Sequence, residues 1–287
     1  MANNTFRLGR FLVNDRVVIG RLEGDSIHLV SEIDELPRAL ASEDSSSTSI
    51  RRIPVSEATL LAPLDPVARV FAVAVNYPAH STEVKYAAPS RPLIFYKAPS
   101  NFVAPGGTLN SNKALTSQFD YEGELAVVIG RTCKDATVEN ALDFVVGVCA
   151  LNDGSARDIT KLALGKPGPG ATYWPDWTAG KSLDGSSGIG PSITCGPGAL
   201  QALKERTFRV STRLNGETVQ DESIGEMVFS TEEIIATLSS YMTLLPGDVI
   251  ATGTPGGVGS ARNRFLQTGD SLEVEVSGLD ILCMKVG

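Results

Sequence analysis

Short alternations of apolar and polar residues, separated by Gly, Pro and Asn turns, dominate the pattern along this 287-residue chain. Alternation with a period of two is typical of β-strands that bury one face. Near the N-terminus it predicts three short strands, at 7–13, 17–22 and 26–30. The serine-rich segment 41–48 that follows is expected to be a surface loop.

Further strands dominate the rest of the chain, and helical patterns are few. The strands are predicted at 70–75, 93–96, 122–129, 144–151, 208–214, 248–251, 271–276 and 281–286. The best helix, at 231–243, follows a Ser-Thr-Glu-Glu capping signature and carries an apolar stripe that includes Tyr241 and Met242. A second helix is predicted at 199–205. Strands without regular strand–helix alternation favour a β-rich α+β fold over a parallel, doubly wound sheet.

The division of these patterns predicts a small N-terminal β domain, 1–65, followed by a larger domain, 66–287.

The net charge of −8 argues against nucleic-acid and anionic-membrane partners, which require basic patches. No apolar run approaches the roughly 20 residues that span a bilayer, and the first residues lack the pattern of a signal peptide. The four cysteines lie far apart and form no C-x-x-C. We therefore expect a cytoplasmic protein.

Two acidic residues stand at the start of the apolar strand predicted at 122–129. Side chains alternate across a strand, so Glu122 and Glu124 project from one face. Two neighbouring carboxylates that lose hydration repel each other and require a cation, and a divalent metal ion is a common one. The alternative is a polar strand end with both side chains in water.

A third carboxylate, Asp153, follows the predicted strand 144–151. It could be an ordinary turn residue, because Asn-Asp-Gly often forms turns. Together with the Glu pair it would supply three oxygen donors, enough to hold Mg²⁺ or Mn²⁺ and leave coordination positions for water or substrate.

Two basic residues follow this acidic set, Arg157 and Lys181. Gly180-Lys181-Ser182 is not a phosphate-binding loop, because position 175 is Pro and not Gly. Lys181 could be a surface residue whose stem packs on Trp177. It could instead be a partly buried cation that neutralises an anionic substrate or an enolate beside the metal.

A short segment, 76–83, contains one of the two histidines of the chain. Pro78 suits a first helical turn, and the i,i+3 spacing places His80 and Glu83 on one helical face. A Glu paired with His fixes its tautomer and raises its basicity, as a base requires. A solvated ion pair is the alternative.

The glycine-rich segment 252–259 lacks the G-x-G-x-x-G spacing of a dinucleotide site. Its glycines would let the backbone and the Thr254 hydroxyl approach a ligand closely. A plain tight loop is the alternative.

In this order, the motifs resemble those of the fumarylacetoacetate hydrolase family. The resemblance extends from about residue 66 to the end and includes the connecting phrases 91–100, 214–217 and 245–255. It implies a mixed β-roll or sandwich core around the site, a homodimer, and a small N-terminal β domain such as 1–65.

The resemblance also implies a role for each candidate residue. Glu122, Glu124 and Asp153 would bind one Mg²⁺ or Mn²⁺ per chain. Lys181 would stabilise a developing enolate or carboxylate, and His80 and Glu83 would act from a lid helix. The predicted substrate-binding residues are Arg157, Thr254 and Tyr77.

Two positions depart from the family pattern. Thr160 stands where many relatives have Gln three residues after the Arg of the motif, which alters one substrate-facing donor. The C-terminal phrase 278–284 also differs, and we expect this to concern packing.

Family members act on small anionic 2-oxo acids. Our first expectation is hydrolysis of a C–C bond in an acylpyruvate- or fumarylpyruvate-like β-diketo acid through a metal-stabilised enolate, because the His80–Glu83 base is present. The alternative is decarboxylation or isomerisation of an oxaloacetate-like acid. A non-catalytic scaffold is a third possibility, but three unpaired carboxylates kept together without a metal would destabilise the fold.

Overall fold

The computed structural model describes residues 5–31, 51–85, 89–159 and 177–287, and β-strands dominate this part of the chain. The serine-rich segment 41–48 and Thr160 lie outside the described residues. The strands are β1 Phe6–Val13, β2 Arg16–Glu23, β3 Ser26–Ser31, β4 Arg52–Pro54, β5 Thr59–Leu61, β6 Val70–Ala74, β7 Leu93–Lys97, β8 Phe102–Val103, β9 Thr108–Leu109, β10 Phe119–Asp120, β11 Gly123–Ile129, β12 Val145–Asn152, β13 Ser155–Ala156, β14 Ser187–Cys195, β15 Arg209–Leu214, β16 Glu217–Ser223, β17 Val249–Ala251, β18 Ser271–Val276 and β19 Leu282–Val286. The helices are α1 Pro78–Val84, α2 Trp177–Lys181, α3 Pro197–Lys204, α4 Thr231–Tyr241 and α5 Gly259–Arg262. The predicted β-rich α+β class is confirmed.

Two sheets form the framework. The larger has the order β4-β3-β2-β1-β14-β12-β11-β17-β6-β7, with β5 on β1 and β8 on β14. The smaller has the order β16-β15-β18-β19-β9. Most neighbours are antiparallel, and β17–β6, β14–β8 and β19–β9 are parallel. Such a mixed arrangement does not require helical crossovers, which agrees with the scarcity of helices.

The N-terminal strands join the larger sheet. β1 pairs antiparallel with β14, and Phe6 lies opposite Cys195. These strands also bury a separate apolar cluster, which includes Phe11, Ile27 and Ile53. The domain boundary at residue 65 stays a prediction.

Strand β11 is buried on both faces, which explains its continuous apolar run. Leu125, Val127 and Ile129 belong to the cluster that packs against the smaller sheet. Ala126 and Val128 belong to a second cluster, with side chains of β6, β14 and β17. The residues at its polar end are therefore held in a rigid, buried frame.

The predicted helix at 231–243 is confirmed as α4, which ends two residues earlier. Ser230 and Glu233 form a capping box, and Ile234, Ile235 and Leu238 are buried. The inclusion of Tyr241 in the apolar stripe was wrong, because Tyr241 is 57% exposed. In the part of the chain that the structure describes, no helix is long and apolar enough to cross a membrane.

The buried Asn76 ties the end of β6 to two distant segments. Its Nδ2 donates to the carbonyl of Phe229 at 3.0 Å and to that of Thr252 at 2.8 Å. Its Oδ1 accepts from the Phe229 N–H at 2.8 Å. Since α1 begins two residues later, these bonds position both the helix and the loop after β17.

Asn76→Leu should lower the free energy of unfolding by about 2–4 kcal/mol, because one buried and two partly buried backbone groups lose their partners. Urea denaturation measures the loss. The control is Asn140→Leu, because Asn140 is exposed and accepts one local hydrogen bond from the Thr137 N–H. A loss for Asn76→Leu no larger than that of the control would contradict the positioning role.

Candidate metal and substrate site

Three carboxylates meet at adjacent ends of β11 and β12. Gly123 lies opposite Asn152 in the antiparallel pair, so Glu122 and Asp153 are neighbours across the ladder. The Asp153 N–H donates to the Glu122 carbonyl at 2.7 Å. One oxygen from each of Glu122, Glu124 and Asp153 lies within 4.8 Å of the others, and all three residues are buried. Oxygens that share a cation at roughly 2.0–2.6 Å lie no farther apart than about twice that length, so the triad can hold one divalent ion.

The two predicted cations lie directly on this triad. Arg157 donates to Glu122 Oε1 at 2.5 Å and, through Nε, to Asp120 Oδ2 at 2.9 Å. Lys181 Nζ lies 2.5 Å from Glu122 Oε2 and 2.8 Å from Asp153 Oδ2. The structure therefore brings all five predicted charges together.

A third cation, Lys97, was not predicted. It is completely buried at the end of β7, where its Nζ donates to Asp153 Oδ1 and to the Lys181 carbonyl. Burial lowers the pKa of Lys97, and the Asp153 charge opposes this shift. Lys97 thus fixes both a triad carboxylate and the end of the helix that carries Lys181.

Among the described residues, the site holds one carboxylate more than it holds cationic side chains. Its carboxylates are Asp120, Glu122, Glu124 and Asp153, and its cations are Lys97, Arg157 and Lys181. Burial disfavours ionisation of Glu122, but Lys181 and Arg157 outweigh it and hold the pKa of Glu122 well below its ordinary value. Burial also disfavours the charged form of Lys181, yet Asp153 and Glu122 raise its pKa.

Glu124 is the carboxylate without a cation. Among the described residues it forms no ion pair, and its Oε2 accepts a hydrogen bond from the Gly253 N–H at 2.7 Å. Burial and the charges of Asp153 and Glu122 raise the pKa of Glu124 well above its ordinary value. A buried carboxylate that lacks a countercharge beside two others fits a divalent cation, and hard oxygen donors suit Mg²⁺ or Mn²⁺.

His80 and Glu83 lie on the predicted helix, which is α1. His80 is buried, and its Nδ1 lies 3.9 Å from Glu83 Oε2, beyond hydrogen-bond distance. The Gly257 N–H instead donates to both oxygens of Glu83, at 2.8 and 2.9 Å. Burial lowers the pKa of His80, which favours the neutral imidazole. The hydrogen bonds of Glu83 therefore hold α1 against the glycine-rich loop. His80, on the same helix, favours its neutral form.

The structure places the two remaining candidates differently. Thr254 lines the cavity, and its hydroxyl donates to the Gly123 carbonyl at 3.0 Å and accepts from Gln220 Nε2 at 2.8 Å. Tyr77 is fully buried in the apolar cluster with Tyr121, and the structure does not bring it to the cavity. The substrate contact expected of Tyr77 stays a prediction.

A cavity of about 260 Å³ joins these residues. Its described charged and polar lining residues are His80, Glu122, Asp153, Ser155, Arg157, Lys181 and Thr254. The other described lining residues are apolar side chains and one glycine, Val73, Ala74, Val75, Val84, Phe95, Ala156, Ile159, Trp177 and Gly180. This arrangement could bind a small anion beside Arg157 and Lys181.

Comparisons with known proteins agree with this site. Residues 69–287 match a family model described as fumarylacetoacetate (FAA) hydrolase C-terminal. The chain is 37% identical over 239 residues to oxaloacetate tautomerase YisK of Bacillus subtilis, which covers 81% of this chain and 74% of that protein. It is 35% identical over 236 residues to human mitochondrial oxaloacetate tautomerase FAHD2A, which covers 82% of this chain and 71% of that protein.

Two solved structures share the whole fold. Fumarylacetoacetate hydrolase from Exiguobacterium antarcticum is 34% identical with a TM-score of 0.80, covering 98% of this chain and 99% of that chain. The 2-hydroxyhepta-2,4-diene-1,7-dioate isomerase from Mycobacterium marinum is 30% identical with a TM-score of 0.76, covering 98% of each chain.

Glu124→Gln should have opposite effects on the metal-free and metal-loaded protein. Because the folded-state pKa of Glu124 is raised, its contribution to stability is lost as the pH rises through that value. At pH values above it, the metal-free variant should unfold at a higher temperature than the wild type. Its affinity for Mn²⁺ should fall more than about tenfold, because a ligand is lost. Thermal unfolding with and without MnCl₂, together with calorimetric titration, measures both effects.

The control is Glu57→Gln, because Glu57 is exposed and lies outside the site. It should leave both quantities unchanged. Wild-type Mn²⁺ affinity in Glu124→Gln would show that Glu124 is not a ligand.

Proposed function

Because this chain belongs to the fumarylacetoacetate hydrolase family, we propose that it interconverts the keto and enol forms of an oxaloacetate-like 2-oxo acid, with Mg²⁺ or Mn²⁺ as cofactor. The observation that carries the proposal is that Lys181 and the buried His80 line one cavity beside a carboxylate triad whose member Glu124 forms no ion pair among the described residues. The names of the relatives favour isomerisation over C–C hydrolysis, our first expectation from the sequence.

The charge balance of the site supports a carboxylate substrate. The four carboxylates and three cations leave one negative charge, which a divalent cation would convert to one positive charge. When bound, the cation would act as a Lewis acid that polarises the 2-oxo carbonyl. Glu122, Glu124 and Asp153 are the residues that would hold it.

Lys181 would stabilise the charge that develops on the substrate oxygen. Its ammonium group stays protonated, because Asp153 and Glu122 raise its pKa against the effect of burial. A fixed ammonium group that is mostly buried acts more strongly on developing charge than it would in bulk water. Arg157, held by Asp120 and Glu122, adds positive potential at the same end.

His80 would move the proton. Its burial lowers the pKa and favours the neutral imidazole, so it can accept a proton from the carbon next to the carbonyl and donate that proton to the enolate oxygen, and both transfers run backwards in the reverse reaction. Glu83, fixed by the Gly257 N–H, lies on the Nδ1 side of the ring and would favour the imidazolium form. Tautomerisation transfers one proton from carbon to oxygen and consumes no water, which agrees with the largely apolar cavity wall.

The experiment follows enol-oxaloacetate by its ultraviolet absorbance with Mn²⁺-loaded protein. The enol signal should decay faster than without protein, EDTA should abolish the acceleration, and neither CO₂ nor pyruvate should form. His80→Gln should lower kcat by roughly 10²–10⁴-fold, the usual contribution of a general base. His28→Gln is the matched control, because His28 is the only other histidine and lies on β3 in the N-terminal strands.

The products distinguish the related reactions. CO₂ from oxaloacetate would indicate a decarboxylase, and pyruvate plus a carboxylic acid from an acylpyruvate would indicate the hydrolase. Enol decay at the uncatalysed rate would contradict the proposal.

The homodimer and the cytoplasmic location stay predictions.

A further inference from the structure

Gly123, the residue between the two glutamates of the triad, lies directly against the smaller sheet. Thr212, Gln220 and Val274 form one row across β16, β15 and β18, because Thr212 is paired with both of the others. A Cβ at Gly123 would lie 2.0 Å from Thr212 Oγ1. It would also lie 3.3 Å from Gln220 Oε1 and from Val274 Cγ1. The missing side chain at Gly123 therefore lets this row approach the backbone that carries two triad carboxylates.

Gln220 binds this backbone through one end of its side-chain amide and the loop after β17 through the other. The residue is buried, and its Oε1 accepts from the Gly123 N–H at 2.9 Å. Its Nε2 donates to Thr254 Oγ1 at 2.8 Å and to the Pro255 carbonyl at 2.9 Å. Since a backbone N–H only donates and a carbonyl only accepts, these partners fix which end of the amide faces Gly123.

Thr254 closes these contacts into a ring of hydrogen bonds. Its hydroxyl oxygen accepts from Gln220 Nε2, and the single hydroxyl proton is donated to the Gly123 carbonyl at 3.0 Å. Side chains therefore hold both backbone groups of Gly123. Because these groups are buried, opening the ring would leave at least one of them without its partner.

The ring restricts the two glutamates on either side of Gly123. Side chains alternate across a strand, so Glu122 and Glu124 project away from the smaller sheet and towards Asp153 on the neighbouring strand. Ligands that cannot shift suit Mg²⁺, which demands near-octahedral geometry with bonds of roughly 2.0–2.1 Å. Ca²⁺ accepts longer bonds of roughly 2.3–2.6 Å and a more variable arrangement.

We propose that Gln220 is a positioning residue of the metal centre, which fixes the spacing of Glu122 and Glu124 through the ring and so favours a small divalent cation over a larger one. The inference rests on the proposed function for one point, that the triad holds a divalent cation. It goes beyond that function because it assigns a role to a residue of the other sheet that does not line the cavity.

Calorimetric titration with MgCl₂ and with CaCl₂, in the absence of substrate, tests this role. Gln220→Met keeps the length of the side chain and removes both hydrogen-bonding ends. Its Mg²⁺ affinity should fall about tenfold or more, the usual loss when a group that orients a metal ligand is removed. Its Ca²⁺ affinity should fall less, because Ca²⁺ tolerates a more variable geometry. The ratio of the two affinities should therefore fall, which a general loss of stability does not predict.

The ring also predicts that Gln220 and Thr254 act together. Thr254→Val removes the hydroxyl and should lower Mg²⁺ affinity, whereas Thr254→Ser keeps the hydroxyl and should bind Mg²⁺ as tightly as the wild type. In the double variant Gln220→Met/Thr254→Val, the fold loss should be smaller than the product of the two single losses, because either substitution alone already opens the ring.

Val276→Ala is the control for stability. Val276 is buried on β18 in the smaller sheet and takes no part in the ring. Its truncation should lower the Tm, because it leaves a cavity in the core. Both metal affinities and their ratio should stay at the wild-type values.

The outcomes separate this inference from the proposed function. Wild-type Mg²⁺ affinity or an unchanged affinity ratio in Gln220→Met, or an equal loss of Mg²⁺ affinity in Val276→Ala, would overturn the positioning role alone. If Gln220→Met does not fold, wild-type Mg²⁺ affinity in Thr254→Val would overturn it. A lowered ratio in a protein that does not tautomerise oxaloacetate would support the role and contradict the proposed function. A wild-type protein that binds neither cation would overturn both.

Discussion

Three buried carboxylates that lie within 4.8 Å of one another repel each other, and much of the surrounding structure compensates this repulsion. Lys97, Arg157 and Lys181 neutralise Glu122 and Asp153, while in the described part of the chain Glu124 accepts a hydrogen bond from the Gly253 N–H and forms no ion pair. Removing charged groups from water costs several kcal/mol for each ion unless they are paired. A divalent cation at Glu124 would complete the compensation and leave a net positive charge for an anionic substrate.

The fold holds these charges in place through close backbone packing. A Cβ at Gly154, next to Asp153, would lie 1.8 Å from the Ser186 carbonyl oxygen, so only glycine fits there. Gly253 has φ +99°, and a Cβ there would lie 2.7 Å from the Cβ of Asn76. The loops that present a triad ligand and the hydrogen bond to Glu124 are therefore as tightly packed as the strands themselves.

The sequence predicts those parts of the fold and of the site that have a local signature. Strand alternation predicts that Glu122 and Glu124 lie on one face, and the capping box predicts the start of α4. Lys97 was missed because a single lysine at the end of an amphipathic strand is ordinarily exposed to solvent. The tertiary fold buries it and places its Nζ against Asp153.

Strand β14 was missed because its glycines and Pro191 argue against a central strand. A Cβ at Gly188 would lie 2.3 Å from Met284 Sδ, a close approach that no local pattern reveals. Tyr77 is buried in the core, and its predicted contact with the substrate stays a prediction.

The central claim is that this buried acidic cluster binds a divalent cation that in turn binds a 2-oxo acid beside Lys181. Oxalate, a planar dianion similar to the enolate of pyruvate, tests it most directly in a calorimetric titration with and without Mn²⁺. The account predicts oxalate binding to the Mn²⁺-loaded protein, none after EDTA treatment, and affinity at least about tenfold weaker in Lys181→Ala, the loss expected for a charged hydrogen bond. No metal-dependent binding of oxalate at millimolar concentration would contradict it.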